Sequence, residues 1–220
     1  YFGPLKTPKK PLPRVTVREP ARTGARPVTS YAPNVPLPAV AITWQGPAAS
    51  DPDAAALTVL DAILSGGKSS RLYNSLVYEQ QVAQAAFSSA DLNAQPGLFY
   101  VGAIMAGGKT VDDGQAALMA EVRRLRDAPP TDAELAEAKT EMIAGAVRQR
   151  ETIDGRAFAL GYSLVLEGDA AKANTGIAAL QAVTAADVQR VARKYLADDR
   201  LVVIRYLDEG QRPAGEAAPA

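Results

Sequence analysis

Hydrophobic positions along the chain recur first in steps of two, then in steps of three and four. In RVTVRE, Val15 and Val17 alternate with polar neighbours, a short strand signal, and RPVTSYA is a second candidate. AVAITWQG, residues 39–46, is the clearest early strand: β-branched and aromatic, and stopped by Gly. At Asp51 the period changes. Leu57, Leu60 and Leu64 share one helical face, Ser50 or Asp51 is placed to cap the helix, and Pro52 suits its first turn. Ser65-Gly66-Gly67 stops it, and Ser69 or Ser70 opens a second helix through RLYNSLVYEQQ. AQAAFSSADL and GLFYVGAIMA then read as two strands, with Asn93–Gly97 as the hairpin turn between them.

The remainder is mostly helical. Ala117, Leu118, Val122 and Leu125 line one face of a helix over Val111–Arg126, and Pro129-Pro130 breaks it. Thr131-Asp132-Ala133-Glu134 is a capping box that opens a helix running to about Arg150. Further helices are expected over Asp154–Glu167 and Thr175–Ala182. Another opens at Thr184–Asp187, with Val188, Val191, Ala192 and Tyr195 periodic. RLVVIRYL, residues 200–207, is a closing strand. Strands and helices are grouped rather than alternating, which predicts an α+β fold: an antiparallel or mixed sheet covered by a layer of helices.

Composition narrows the function. Lys+Arg and Asp+Glu are both 24 in 220 residues, so the basic excess of a nucleic-acid binder is missing. There is no Cys and no His. Disulfides, thiol nucleophiles, His-based metal sites and Ser-His-Asp triads are thereby excluded from this chain. No apolar run approaches the ~20 residues of a membrane span. Nine prolines between Pro4 and Pro38 mark an extended start. We therefore expect a linker over 1–14, one domain over 15–207 and a disordered tail over 208–220. The start Tyr1-Phe2-Gly3-Pro4 reads as that of a fragment or processed piece, with any export signal upstream.

Three stretches suggest chemistry. Gly67-Lys68-Ser69 looks like the end of a phosphate-binding loop, but that loop needs a Gly five residues before Gly67 and a preceding strand. Ala62 and a helical pattern stand there, so the stretch is a helix stop and a helix start. Glu134, Glu137 and Glu141 could form a carboxylate ridge, yet Leu135, Ala138, Met142 and Ala146 are the apolar face of that helix, so the Glu residues belong to a solvated flank. Ser88 and Ser89 have no Lys base at the spacing that a Ser-Lys pair needs. Trp44, Phe99 and Tyr100 are read as core.

Four segments together resemble one family. LDAILSGGKSSRLYNSLVYEQQVAQAAFSS, PPTDAELAEAKTEMIAG, LQAVTAADVQRVARKYLADDRLVVIRY and the opening YFGPL resemble, in this order, the C-terminal, non-catalytic half of insulinase/pitrilysin-type zinc metallopeptidases. The resemblance implies a duplicated α+β unit whose two halves close like a clamshell around a peptide. It places an inverted zinc motif of His and Glu residues on the other half, so no cofactor is expected in this chain and zinc is expected in its catalytic partner. Many members supply an Arg and, seven residues later, a Tyr that reach substrate. Those positions are Val77 and Gln84 here, and we carry them as candidate substrate-binding residues. Arg71 and Tyr78 are polar neighbours whose plainer readings are an ion pair and packing. The implied function is to complete the proteolytic chamber and help bind extended polypeptide. The implied partners are the catalytic half and the polypeptide substrate, and the implied location is the periplasm or another exported one. The alternative is a scaffold member of the family that has lost proteolysis.

Overall fold

The computed structural model describes residues 3–6, 10 and 17–214. Most of the linker expected over 1–14, and RVTVRE up to Thr16, lie outside them. The strands are β1 (Arg26–Ala32), β2 (Ala39–Gln45), β3 (Ala83–Asp91), β4 (Leu98–Met105) and β5 (Val202–Asp208). The helices are α1 (Ala54–Ser65), a π-helix (Tyr73–Glu79), α2 (Val111–Asp127), α3 (Asp132–Gln149), α4 (Ile153–Glu167), α5 (Lys172–Ala182) and α6 (Ala185–Tyr195). The fold is α+β, as expected.

The five strands form one mixed sheet in the order β1-β5-β2-β4-β3. Only β1 and β5 run parallel; the other pairs are antiparallel. The strand that closes the chain is thus inserted between β1 and β2, which the sequence order did not reveal. The register separates the side chains into two sets. Val40, Ile42 and Trp44 share a face with Phe99, Val101, Ala103, Met105 and Val203, and all are buried. α1, α2 and α6 pack on that face with Leu57, Leu60, Leu64, Leu118, Val122, Leu125, Val188 and Val191. Trp44 meets Phe99 in a tilted contact with ring centroids 6.5 Å apart, and its Nε1 donates to the Ala197 carbonyl at 2.9 Å, tying the sheet to the α6–β5 link.

Caps follow the sequence closely. Thr110, Thr131 and Thr184 each form a full capping box. Elsewhere side-chain caps are missing: Asp53 stands at the N-cap of α1 without a capping bond, with Asp51 Oδ1 accepting from the Asp53 amide at 2.8 Å, the π-helix opens at Leu72 rather than being capped by Ser69 or Ser70, and α5 opens at Ala171. Two expectations are corrected. The helix expected through 71–81 ends at Glu79 and runs over Tyr73–Glu79 as a π-helix, closed by the Gln80 amide donating to the Ser75 carbonyl at 3.0 Å. Leu72, Ser75 and Leu76 are buried, and Gln80 Nε2 satisfies the buried Ser75 hydroxyl at 2.7 Å. At the other end, β5 reaches Asp208 and a 3₁₀ turn, Glu209–Gln211, follows, so the chain is folded beyond Leu207. Residues 215–220 lie outside the described part.

Candidate functional site: the open face and free edge of the sheet

The second face of the sheet carries no helix among the described residues. Register places Phe87, Ser89, Gly102, Tyr100, Ile104, Ala41, Thr43, Ile204, Tyr206 and Val28 on it. Phe87, Leu98, Ile104, Ile204, Tyr206 and Val28 all count among the exposed large hydrophobic residues. Gly102 lies directly opposite Phe87, and a Cβ there would sit 2.5 Å from the ring. The missing side chain lets Phe87 lie flat across β4 and meet Tyr100 edge-on at 6.4 Å. One end of the face is covered by the segment entering the domain. Arg22 Nη1 donates to the Thr43 carbonyl at 2.9 Å and to Thr43 Oγ1 at 3.1 Å. What remains is an open wall of aromatic and aliphatic side chains with charges only towards its ends.

Among the described residues β3 pairs with β4 alone and is an edge strand, so one row of its backbone groups is free of a ladder partner. Gln84 lies on that edge. It is the extra residue of a β-bulge between Ala83 and Ala85, and it is exposed. Val77 sits on the π-helix, half-buried against the hydrophobic core. The two candidate positions are therefore near the same edge but in unlike surroundings: an amide in solvent and an aliphatic side chain turned to the core. Arg71 forms the ion pair expected of its plainer reading. Tyr78 does not pack: it is 73% exposed.

The three Glu of α3 face the Gly67–Arg71 joint rather than a metal. Arg71 holds Glu134 in a two-pronged pair, Nε to Oε1 at 2.6 Å and Nη2 to Oε2 at 3.0 Å. Thr131 adds its amide and hydroxyl to the same carboxylate. The Arg71 bond outweighs partial burial and holds the Glu134 carboxyl at about 2. Ser69 Oγ donates to Glu137 Oε1 at 2.6 Å, and Glu141 borders the same hollow of about 20 Å³, roughly the room of one water. These residues close a joint, and Lys68 stands exposed beside them. The donor set does not suit zinc: the chain has neither His nor Cys, and among the described residues no group of three or more metal-ligating side chains is gathered.

Two further polar clusters were not legible in the sequence. Asp53, only 6% exposed, accepts from Arg190 at 2.7 Å, Lys194 at 2.7 Å and the Tyr195 hydroxyl at 3.0 Å. Burial pushes its carboxyl up, but the bonds from Lys194, Arg190 and Tyr195 outweigh it and hold the group at about 2. This joins the start of α1 to α6. Behind β3, Ser88 Oγ donates to Asp61 Oδ1 and lies 2.8 Å from Ser65 Oγ. Burial raises the Asp61 carboxyl despite the Ser88 bond. Ser88 thus faces α1, on the covered side of the sheet, and serves to seat that helix.

The comparisons with known proteins place the chain in a known class. Residues 1–142 match the peptidase M16 inactive domain. The chain belongs to that family, the insulinase/pitrilysin-type group that its motifs resemble. It is 30% identical over 156 residues to the zinc protease PqqE of Helicobacter pylori, covering 69% of this chain and 34% of that protein. A Helicobacter pylori protease of known structure superposes with a TM-score of 0.87 at 26% identity, over 93% of this chain and 50% of the other. The inactive peptidase domain of a Bordetella parapertussis protein gives 0.70 at 25% identity, covering 94% of this chain and 100% of the other. The chain thus spans about a third of the curated zinc protease and half of the Helicobacter structure.

Proposed function

We propose that the chain is the non-catalytic half of a zinc metallopeptidase, closing the proteolytic chamber and helping to bind extended polypeptide for a zinc site on the partner half. The observation that carries this reading is the open sheet face. Among the described residues of this inactive-domain chain, no helix covers the second face of the sheet, which is largely apolar apart from the end held by Arg22, and β3 is an edge strand alongside it. Extended peptides bind such surfaces through backbone pairing and side-chain contact. Gln84 supports the substrate role, because an exposed amide can both donate to and accept from a peptide backbone.

The test is peptide cleavage by the partner half with and without this chain. Cleavage that requires both supports the reading; cleavage by this chain alone, with zinc bound, overturns it. In the complete enzyme, Gln84→Ala should raise KM. Unchanged KM and kcat would leave Gln84 without a substrate role.

A second reading, an inactive scaffold member, is favoured by one observation. The position read as that of the family's substrate Arg is Val77, an aliphatic side chain half-buried against the core. An inverted zinc motif in the polypeptide upstream or in the neighbouring gene decides for the peptidase; its absence decides for the scaffold. Export to the periplasm is the location that accompanies the peptidase reading. No helix of the described residues is long and apolar enough to cross a membrane. Fractionation of the native host tests that location, and recovery with the cytosolic fraction would refute it.

A further inference from the structure

In α4, composition and burial disagree. Its fifteen residues include Ile153, Phe158, Leu160, Tyr162, Leu164 and Val165, yet the buried residues are Gly155 and Ser163. Phe158 and Tyr162 are each 66% exposed and Val165 is 72% exposed. A helix that is apolar around its circumference is normally a buried one, and a contiguous exposed apolar patch marks an interaction surface.

The helix is not a loose end. Thr152 caps it through the Gly155 amide at 3.0 Å, and Gly168 closes it in the left-handed conformation. Within the chain it packs chiefly on α5, which in turn reaches α1 and α3. Phe158, Tyr162 and Val165 form a stripe at helical spacing. With Ala157, Gly161 and Leu166 they line an open hollow of about 520 Å³. Gly161 forms its floor, since nothing lies within 4 Å of where its Cβ would be. The hollow is lined by apolar side chains and Tyr162, and charged residues of α4, Asp154 and Arg156, are exposed on the same helix.

We propose that this face of α4 docks the catalytic half, with one large apolar side chain of that half seated over Gly161. The proposal rests on the reading above. Polypeptide outside this chain supplies the argument for the occupant: the fold covers 50% of the Helicobacter structure and 34% of the zinc protease, so in these relatives a partner of equal or greater size accompanies it. Among the described residues, no element of this chain covers the stripe.

The test measures binding of the chain to the catalytic half by titration calorimetry, for the wild type and for Gly161→Leu, Val165→Asp and the control Ala120→Asp on an exposed position of α2. Gly161→Leu fills the hollow while favouring the helix, so it keeps the fold and blocks only docking. The expected result is binding weakened at least tenfold by Gly161→Leu and Val165→Asp, unaltered by Ala120→Asp, with unchanged circular dichroism. Exchange of α4 amides should also slow at least tenfold in the wild-type complex. Wild-type binding by both α4 variants overturns the proposal, as does equal loss in the control. Self-association of the wild-type chain that both variants abolish assigns the face to a second copy and overturns it too. If cleavage depends on the chain but tolerates both variants, the docking face is wrong and the peptidase reading stands. If the wild type neither binds nor supports cleavage, both fail.

Discussion

The helices of this molecule fall into two groups that carry comparable amounts of apolar sequence and bury very different shares of it. α1, α2 and α6 rest on the sheet, and Leu57, Leu60, Leu64, Leu118, Leu125 and Val188 are sealed. α3, α4 and α5 lie outside α1, and their buried residues are small: Ala138, Gly155, Ser163 and Ala173. The same apolar residue type is therefore a folding element in one group and a free surface in the other. Stability resides in the inner group, and the outer group is available for association, because burial and not hydrophobicity alone produces the hydrophobic contribution.

The sharpest test of this comparison sets a truncation in the core beneath the inner helices, at Trp44 of β2, against one on the outer helix α4, at Phe158. Trp44→Ala removes a fully buried indole and its bond to Ala197, and should cost about 3–5 kcal/mol in denaturant unfolding. The other predictions have smaller effects. Asp53→Asn weakens the α1–α6 connection and should cost about 1–3 kcal/mol, towards the lower end because Arg190 and Lys194 are half-exposed.

The same residue gives a pH signature. Asp53 and Glu134 have folded values of about 2, below the ~3.9 and ~4.3 of free Asp and Glu. Their stabilisation is complete above the unfolded values and is lost as pH falls through the folded ones. Wild-type unfolding free energy should therefore drop between about pH 4 and pH 2. The drop should be shallower in Asp53→Asn, and an identical pH profile would break the assignment.

Caps offer a finer contrast. Thr184→Ala removes the cap of α6 and should cost about 1 kcal/mol. Thr152→Ala removes the equivalent bond from α4 but should change global unfolding by no more than about 0.5 kcal/mol, its effect appearing as faster exchange of α4 amides. The smallest expected effect is Phe158→Ala, within about 0.5 kcal/mol in the isolated chain. A loss comparable with that of Trp44→Ala would abolish the distinction between the two groups.

Much of the fold was legible along the chain because its signals are local. The threonine boxes at Thr131 and Thr184, the period of Leu57, Leu60 and Leu64, and the turn Asn93–Gly97 each depend on residues within a few positions of one another. The candidate site was less legible. The apolar residues of β3 and β4 fall on both faces, so alternation did not show which face stays open; Phe87, Tyr100 and Ile104 could have raised the question, because a one-sided strand would carry polar residues there. The plainer reading of Arg71 was right about the type of interaction but could not name Glu134, 63 residues away. Tyr78 was misread because a π-helix advances its residues differently from an α-helix.

The sequence by itself determined that this is an α+β chain without His or Cys and that it carries the motifs of the inactive domain. Those facts depend on residue identity and short-range order. The tertiary structure decided the insertion of β5 beside β1, the uncovered sheet face, the Asp53 cluster and the exposure of α4. Each of these depends on which distant segments exclude water from one another, and no local pattern encodes that exclusion.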